Sequence, residues 1–145
     1  MQNILVVCTG NICRSPMAEG LMAAALPDTR VTSAGTAALV GQPADSLARE
    51  VLLRRDVRID AHRARQIDSE MCTEADLILV MEDAHRLEVR RRFPFANGKL
   101  FRFLGTRGDV LDPYHLGINA FNCAMAQIEG GVKQWVERIC QLSKR

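Results

Sequence analysis

Residues 3–16, NILVVCTGNICRSP, contain the features that decide the fold. The run NILVV at residues 3–7 is continuously apolar and β-branched, which is typical of a central parallel strand covered on both faces. The chain then turns polar around Gly10. Pro16 is tolerated in the first turn of a helix, and residues 17–26 carry apolar side chains at helical spacing. The stretch therefore predicts a strand, a loop and a helix in immediate succession.

The rest of the chain continues this alternation of strands and helices. The elements predicted after the first helix are a strand at 30–33, a helix at 45–55, a strand at 75–81, a helix at 82–92, a strand at 99–103 and an amphipathic helix at 118–142. Gly130 and Gly131 are predicted to weaken the middle of the last helix, because glycine is a poor helix former.

This order predicts an α/β fold with a four-stranded parallel sheet and helices on both faces, in three layers. The length of 145 residues predicts a single domain spanning residues 1–145. Ligands of such sheets bind beyond the carboxyl ends of the strands, where the loop at Cys8 lies. Residues 104–117 are the one long connection and a candidate functional loop.

Composition excludes several classes of protein. A net charge of +2 gives no argument for a nucleic-acid partner. No apolar run reaches the ~18 residues of a membrane span, and no secretory signal is evident, so we expect a cytoplasmic protein without direct membrane insertion. The five cysteines are odd in number and lack metal-ligand spacing, which predicts reduced thiols, no metal and no cofactor.

The loop between Cys8 and the helix has the composition of a phosphate-binding site. Backbone N–H groups and a helix N-terminus favour a tetrahedral anion, and Gly10 is expected to supply the conformational freedom of the loop. Arg14 adds a planar, permanently charged fork that can bind two oxygens at once. We expect a phosphate group to be bound from both sides.

The same positive field favours the thiolate of Cys8 and makes it a candidate nucleophile. Attack on phosphorus would give a phosphocysteine intermediate that water hydrolyses, with Ser15 donating its hydroxyl to the sulfur. A lone cysteine at a strand end is more often a buried structural residue. The pattern C-x5-R-S between a strand and a helix favours the catalytic interpretation.

A departing phenolate needs a proton, so a carboxylic acid must reach the loop from elsewhere in the chain. The long loop at residues 104–117 offers Asp109 and Asp112. Residue types alone do not choose between them, and an Asp before Pro is commonly a turn initiator.

Residues 7–19, VCTGNICRSPMAE, resemble the phosphate-binding loop and first helix of the low-molecular-weight protein tyrosine phosphatases. SAGT at 33–36, HRARQ at 62–66, DLILVM at 76–81 and DPY at 112–114 follow in the order of that family. The resemblance covers nearly the whole chain. It implies a cysteine-dependent, metal-independent phosphatase.

The resemblance also assigns residue roles. It selects Asp112 as the general acid, and it places Asn11, Ser33 and His62 in a network that supports the loop. The phosphate-binding loop itself comprises Thr9, Gly10, Asn11, Ile12, Cys13 and Ser15, with Cys8 and Arg14 as the catalytic pair. For Cys13 the resemblance implies redox protection of Cys8, and the alternative is a small residue chosen for packing.

The cleft walls implied by the resemblance are Leu39, where the family often has Trp, with Tyr114 and His115 in place of a Tyr pair. An aliphatic wall with DPY resembles the bacterial branch that acts on tyrosine autokinases of capsule and exopolysaccharide export. The implied partner is a phosphotyrosine-containing protein, such as a membrane tyrosine autokinase, and the implied assembly is a monomer or weak homo-oligomer.

Three alternatives remain open. A thiol-dependent arsenate reductase needs a close pair of cysteines downstream, which is absent after Cys72. A phosphoarginine phosphatase of the same fold has Thr where this loop has Ile12. A non-enzymatic phosphopeptide-binding or redox-sensing module predicts loss of Cys8, Arg14 or the acid, and all three are present.

Overall fold

The structure is a computed structural model that describes residues 1–143, so Lys144 and Arg145 of the predicted domain lie outside the described residues. Its elements are β1 (Asn3–Cys8), α1 (Arg14–Ala25), β2 (Arg30–Gly35), α2 (Ser46–Leu53), α3 (Ser69–Glu74), β3 (Leu77–Val80), α4 (Asp83–Arg92), β4 (Leu100–Arg102) and α5 (Ile118–Ser143). Short 3-10 helices lie at Pro94–Lys99 and Gly105–Arg107.

The strands form one parallel sheet in the order β2-β1-β3-β4, with β1 at its centre. Cys8 pairs in register with Gly35 of β2, and the preceding Val7 pairs with Val80 of β3. The α/β fold with four parallel strands predicted from the sequence is confirmed. Cys8 therefore ends the strand that has a neighbour on each side.

Both faces of the sheet are covered, which gives the predicted three layers. Ile4 and Val6 are buried in a cluster with residues of α1, α2 and α5, while Leu5 and Val7 are buried in a second cluster with residues of α3 and α4. Because neighbouring side chains of a strand point to opposite faces, the continuous apolar run of β1 serves both layers.

Element boundaries differ from the sequence predictions by one or two residues, and α3 was not predicted. The six residues of α3 are too few to show a helical period; its start is set by Asp68, whose Oδ1 accepts a hydrogen bond from Met71 N–H at 2.8 Å. Helix α1 begins at Arg14, two residues before the predicted start at Pro16. Arg14 thus belongs to the first turn of the helix.

Gly131 has a role in packing that could not be predicted from its low helix propensity. Helix α5 is continuous through Gly130 and Gly131, and the predicted weakening of its middle remains a prediction about stability. A Cβ atom at Gly131 would collide with Cε1 of Phe103, so the missing side chain allows the ring to pack on the helix. Within residues 1–143 no helix has both the length and the apolar composition needed to cross a bilayer.

Candidate active site

The loop after β1 is held at both ends by regular structure. Cys8 ends the central strand with only 3% of its surface exposed, and α1 begins at Arg14. Residues 9–13 therefore curl between a strand end and a helix N-terminus, where the helix dipole and free N–H groups favour an anion.

The carbonyl groups of this loop point outward, because each is hydrogen-bonded to the surrounding chain. The pairs are Thr36 N–H to Cys8 O (2.9 Å), Ala37 N–H to Thr9 O (3.0 Å), Leu39 N–H to Gly10 O (3.0 Å), His62 Nε2–H to Asn11 O (2.6 Å) and Asp45 N–H to Ile12 O (2.8 Å). In a trans peptide the N–H points opposite to the C=O, so the N–H groups of residues 9–13 face the inside of the loop. This arrangement makes a concave anion site.

Asn11, and not Gly10, supplies the unusual backbone conformation. Asn11 has φ 60°, in the left-handed region that asparagine tolerates better than most residues, whereas Gly10 lies outside that region. The side chain of Asn11 is fully buried: its Oδ1 accepts from Arg65 N–H at 2.8 Å, and its Nδ2 donates to Ser15 and Ser33. The expectation for Gly10 is corrected, because Asn11 combines the turn with an anchor.

Ser15 connects this network to the sulfur of Cys8. The Ser15 Oγ accepts a hydrogen bond from Asn11 Nδ2 at 2.8 Å and lies 2.9 Å from Cys8 Sγ. Since the amide can only donate, the hydroxyl hydrogen of Ser15 is available to the sulfur. The geometry thus favours Ser15 as a donor to a Cys8 thiolate.

Ser33 and His62 support the loop from behind. The second amide hydrogen of Asn11 goes to Ser33 Oγ at 2.9 Å, and Ser33 in turn donates to Glu19 Oε1 at 2.5 Å. The structure therefore places Asn11, Ser33 and His62 in one hydrogen-bond network. Glu19, its carboxylate end, was missed, although it stands within the quoted motif at residues 7–19.

Arg14 is fixed from three sides. Its side chain is 2% exposed, and its NH1 donates to Glu82 Oε2 at 2.6 Å and to Val110 O at 3.0 Å. Its NH2 lies 3.6 Å from Asp112 Oδ2. One edge of the guanidinium is thus held by the protein, and the other faces the candidate acid.

The loop that carries Asp112 is anchored around Val110. Val110 N–H donates to Met81 O at 2.9 Å, and Leu111 N–H donates to Gln127 Oε1 at 2.8 Å. Asp109 accepts from the backbone N–H of Asp83 at 2.9 Å, at the start of α4. Asp109 is engaged in holding the loop, so Asp112, 52% exposed, is the carboxylate that faces the cleft.

A cavity of about 180 Å³ opens above the loop. Its lining consists of Cys8, Thr9, Gly10, Ile12, Cys13, Arg14, Ala37, Leu39, Asp112 and Tyr114. Leu39 and Tyr114 are the exposed walls. The expectation that His115 forms a third wall is corrected, because His115 does not line this cavity. Its backbone is left-handed (φ 62°), and its ring lies against Tyr114 with centroids 3.7 Å apart.

The segment bearing Leu39 is shaped by contacts that do not involve the leucine side chain. Gln66 accepts from Ala38 N–H at 2.9 Å and donates to Thr36 O at 2.9 Å. Leu39 N–H bonds to Gly10 O, and Gly41 N–H bonds to Ala64 O at 2.9 Å. The wall residue therefore stands on a backbone fixed by its neighbours.

Cys13, the last residue of the loop, is a buried free thiol that is 4% exposed. Burial raises the pKa of the Cys13 thiol, and the nearby carboxylate of Asp45 adds to this effect. Cys13 is thus held in the neutral thiol form, unlike an activated nucleophile. Among residues 1–143 no group of three or more His, Cys, Asp or Glu side chains is placed to hold a metal ion.

Two further residues of the site were not predicted. Glu82 precedes α4 and binds Arg14, while His85, 5% exposed, places its Nε2 2.8 Å from Thr9 Oγ1. The sequence signal was the spacing of these two residues at a predicted helix start, where a side chain at the third position can bond back to the first residue. Their contact with the loop depends on the pairing of β1 and β3, which sequence spacing does not show.

The sequence matches the family described as low molecular weight phosphotyrosine protein phosphatase over residues 3–144. The chain belongs to this family and is a protein tyrosine phosphatase by class. The EpsP protein of Ralstonia nicotianae, described as a probable low molecular weight protein-tyrosine-phosphatase, is 46% identical over 141 residues, which cover 96% of this chain and 97% of EpsP.

Solved structures share the fold of this chain. The Wzb protein of Vibrio vulnificus, in complex with benzylphosphonate, superposes with a TM-score of 0.92 at 38% identity, covering 94% of this chain and 98% of Wzb. The YwlE arginine phosphatase, as a mutant with a phosphorylated active-site serine, superposes with a TM-score of 0.90 at 29% identity, covering 95% of both chains. The resemblance to the bacterial branch of the family is confirmed.

Proposed function

We propose that this chain hydrolyses phosphotyrosine in proteins through a phosphocysteine intermediate on Cys8. The observation that carries the proposal is the Cys8–Ser15 contact at the base of a loop whose N–H groups face inward beside Arg14. A thiolate there is stabilised by the hydroxyl, the dipoles and the cation, and the same groups bind the phosphate that it attacks.

In the first step the Cys8 sulfur attacks phosphorus, an S–P bond forms and the bond from phosphorus to the phenolic oxygen breaks. Asp112, in its protonated form, gives its proton to the departing phenolate. In the second step Asp112 takes a proton from water, the water oxygen attacks phosphorus, and the S–P bond breaks to release inorganic phosphate. Ser15 then donates to the departing thiolate, and Arg14 binds phosphate oxygens throughout.

Cleft shape supports an aryl phosphate as substrate. The nucleophile is 3% exposed at the bottom of the cavity, while Leu39 and Tyr114 are 43% and 38% exposed at its rim. We expect a phenyl ring to fit between these two apolar walls with its phosphate at the buried sulfur, and, as the family resemblance implies, the short side chain of phosphoserine to fall short of it. Ile12, an apolar lining residue, favours the aryl ester over phosphoarginine.

The physiological partner that we propose is a bacterial membrane tyrosine autokinase that controls exopolysaccharide production, dephosphorylated on its cytoplasmic side. This proposal is supported by the likeness to EpsP and Wzb, which are bacterial phosphatases. We further propose that residues 1–145 act as one domain, monomeric or weakly self-associating, without metal or nucleic acid.

The test is steady-state hydrolysis of p-nitrophenyl phosphate, phosphotyrosine, phosphoserine and phosphoarginine, with and without a chelator. We expect chelator-resistant activity that prefers phosphotyrosine and disappears in Cys8→Ser. Cys123→Ser, which changes an exposed thiol on α5, is the matched control and should keep full activity. Mass spectrometry of acid-quenched enzyme should locate the phosphate on Cys8; turnover by Cys8→Ser, or preference for phosphoarginine, would reject the proposal.

A further inference from the structure

His85 is a buried histidine that the chemistry described above does not use. It lies in the first turn of α4 with 5% of its surface exposed, between the phosphate-binding loop and the start of the helix. Each of its ring nitrogens has a polar neighbour: Nδ1 lies 3.1 Å from Glu82 N, and Nε2 lies 2.8 Å from Thr9 Oγ1.

These two contacts define the tautomer of the ring. The Glu82 backbone N–H is a donor, so Nδ1 of His85 must be the acceptor and carries no hydrogen. The hydrogen of the neutral ring is then on Nε2, from which it is donated to the Thr9 hydroxyl. His85 therefore links the residue next to the nucleophile to the start of α4.

Protonation of the ring would break this link, because Nδ1–H and Glu82 N–H would both be donors. Burial lowers the pKa of His85 and the nearby Arg14 cation lowers it further, which favours the neutral ring. The negative charges of Glu82, Asp109 and Asp112 raise the pKa of His85 and so oppose these two effects.

The start of α4 also holds Arg14. The Glu82 carboxylate that accepts from Arg14 NH1 at 2.6 Å lies 3.8 Å from His85 Nε2. One helical turn is thus bonded to the phosphate loop through Thr9 and to the guanidinium through Glu82. The loop N–H groups belong to the backbone, whereas the guanidinium lies at the end of the Arg14 side chain, and both must be aligned on the same phosphate group.

We propose that His85 is a positioning residue that keeps the N–H groups of the phosphate-binding loop aligned with the guanidinium of Arg14. It does so through the hydrogen bonds of its neutral ring to Thr9 and to the backbone of Glu82. The inference rests on the proposed function, since it assigns His85 to the phosphate site of the phosphatase. It acts through Thr9 and Glu82 and touches no reacting atom.

The experiment compares three substitutions that separate the two hydrogen bonds. Thr9→Val removes the hydroxyl and keeps the side-chain volume. His85→Asn keeps an acceptor near the position of Nδ1 and is too short to reach Thr9. His85→Gln places a polar group near the position of Nε2 and can still donate to Thr9.

The readouts are kcat and KM for p-nitrophenyl phosphate, the dissociation constant of inorganic phosphate by calorimetry, and the urea midpoint of unfolding. We expect Thr9→Val and His85→Asn each to lower kcat/KM and phosphate affinity by about fivefold, as for loss of one neutral hydrogen bond. The double variant Thr9→Val/His85→Asn should bind phosphate no more weakly than either single variant, because both substitutions remove the same hydrogen bond. His85→Gln should have a phosphate affinity between those of His85→Asn and wild type.

Asp68→Ala is the control for simple destabilisation, since it removes the cap of α3 without touching the site. It should lower the urea midpoint and leave phosphate affinity unchanged. Additive losses in the double variant, unchanged phosphate affinity in His85→Asn, or the same loss of affinity in Asp68→Ala would each overturn the positioning role. Because phosphate affinity needs no turnover, an inactive wild type would reject the proposed function while affinity still decided this inference.

Discussion

Arg14 NH1 and Glu82 Oε2 lie 2.6 Å apart, with Arg14 2% exposed and Glu82 29% exposed. The cation that we propose to bind phosphate is therefore already paired inside the protein. Because NH1 also donates to Val110 O, this edge of the guanidinium cannot turn toward a ligand. Glu82 holds the fork in the orientation that presents its other edge to the cleft.

Removal of the Glu82 charge should therefore lower catalytic activity more than it lowers the stability of the fold. In Glu82→Gln the amide keeps the size of the side chain and leaves Arg14 without its carboxylate. We expect kcat/KM to fall by about tenfold or more and the free energy of unfolding to fall by about 1–3 kcal/mol, as for loss of a charged hydrogen bond. Arg54 pairs with Glu50 on the exposed face of α2, and Glu50→Gln should change neither quantity measurably.

Substitution of Asn11 separates backbone conformation from anchoring. Asn11→Gly keeps access to the left-handed region and removes the side-chain hydrogen bonds, while Asn11→Ala also introduces backbone strain. Both variants should lose most turnover, and urea unfolding should find Asn11→Ala less stable than Asn11→Gly by about 1 kcal/mol. Equal stability of the two would mean that the left-handed turn does not persist without the asparagine.

The acid role that we propose for Asp112 predicts a dependence on the leaving group. Asp112→Asn should lower kcat/KM, which reports the first step, by about 100-fold or more on phosphotyrosine, since the phenolate then departs unprotonated. The loss on p-nitrophenyl phosphate should be smaller, because nitrophenolate is a better leaving group. Asp109→Asn is the comparison: it should affect both substrates alike, since Asp109 holds the loop through Asp83 N–H.

The lowered pKa of His85 predicts how stability changes with pH. Below pH 6.5, the ordinary pKa of histidine, His85 takes up a proton in the unfolded chain but resists protonation in the folded protein. The stability that the neutral His85 ring contributes is therefore fully present above pH 6.5 and is lost as the pH falls. Between about pH 7.5 and about pH 5.5, wild type should lose more free energy of unfolding than His85→Gln, which has no titrating ring. Parallel curves for the two proteins would contradict the shift.

The two adjacent glycines of α5 give a matched pair for packing. A Cβ at Gly131 would collide with the ring of Phe103, whereas a Cβ at Gly130 meets its nearest atom, Arg107 NH1, at 3.8 Å. Gly131→Ala should lower the free energy of unfolding by about 1–3 kcal/mol through overpacking. Gly130→Ala should raise it by up to about 1 kcal/mol through helix propensity, which urea titration of both variants will show.

The fold was largely predictable because it is recorded in local patterns. The continuous apolar runs at β1 and β3 and the proline-limited helices are properties of neighbouring residues, and they define an alternating α/β order. The six-residue α3 lay below the length at which a period can be detected. The packing of Phe103 on Gly131 needed contact between segments far apart in sequence.

The site was predictable where its residues share one loop or one motif. Cys8, Arg14 and Ser15 stand within eight consecutive positions, and their chemistry could be read from residue type and spacing. Glu82 and His85 reach the loop from α4 through the pairing of β1 with β3. Asn11, rather than Gly10, adopts the left-handed backbone conformation, because the hydrogen bonds of its side chain offset the cost of that conformation. The sequence does not show these hydrogen bonds.

The way in which the backbone around Leu39 is held affects how the substrate preference of this enzyme can change in evolution. Gln66 and the carbonyls of the phosphate loop fix the backbone of that segment, and the leucine side chain has no part in those bonds. A different residue at position 39 would change the wall presented to a substrate and leave the nucleophile, its hydroxyl partner and the arginine where they are. If Leu39 is the substrate wall that we propose, selection can adjust which phosphoprotein is accepted independently of the residues that remove the phosphate.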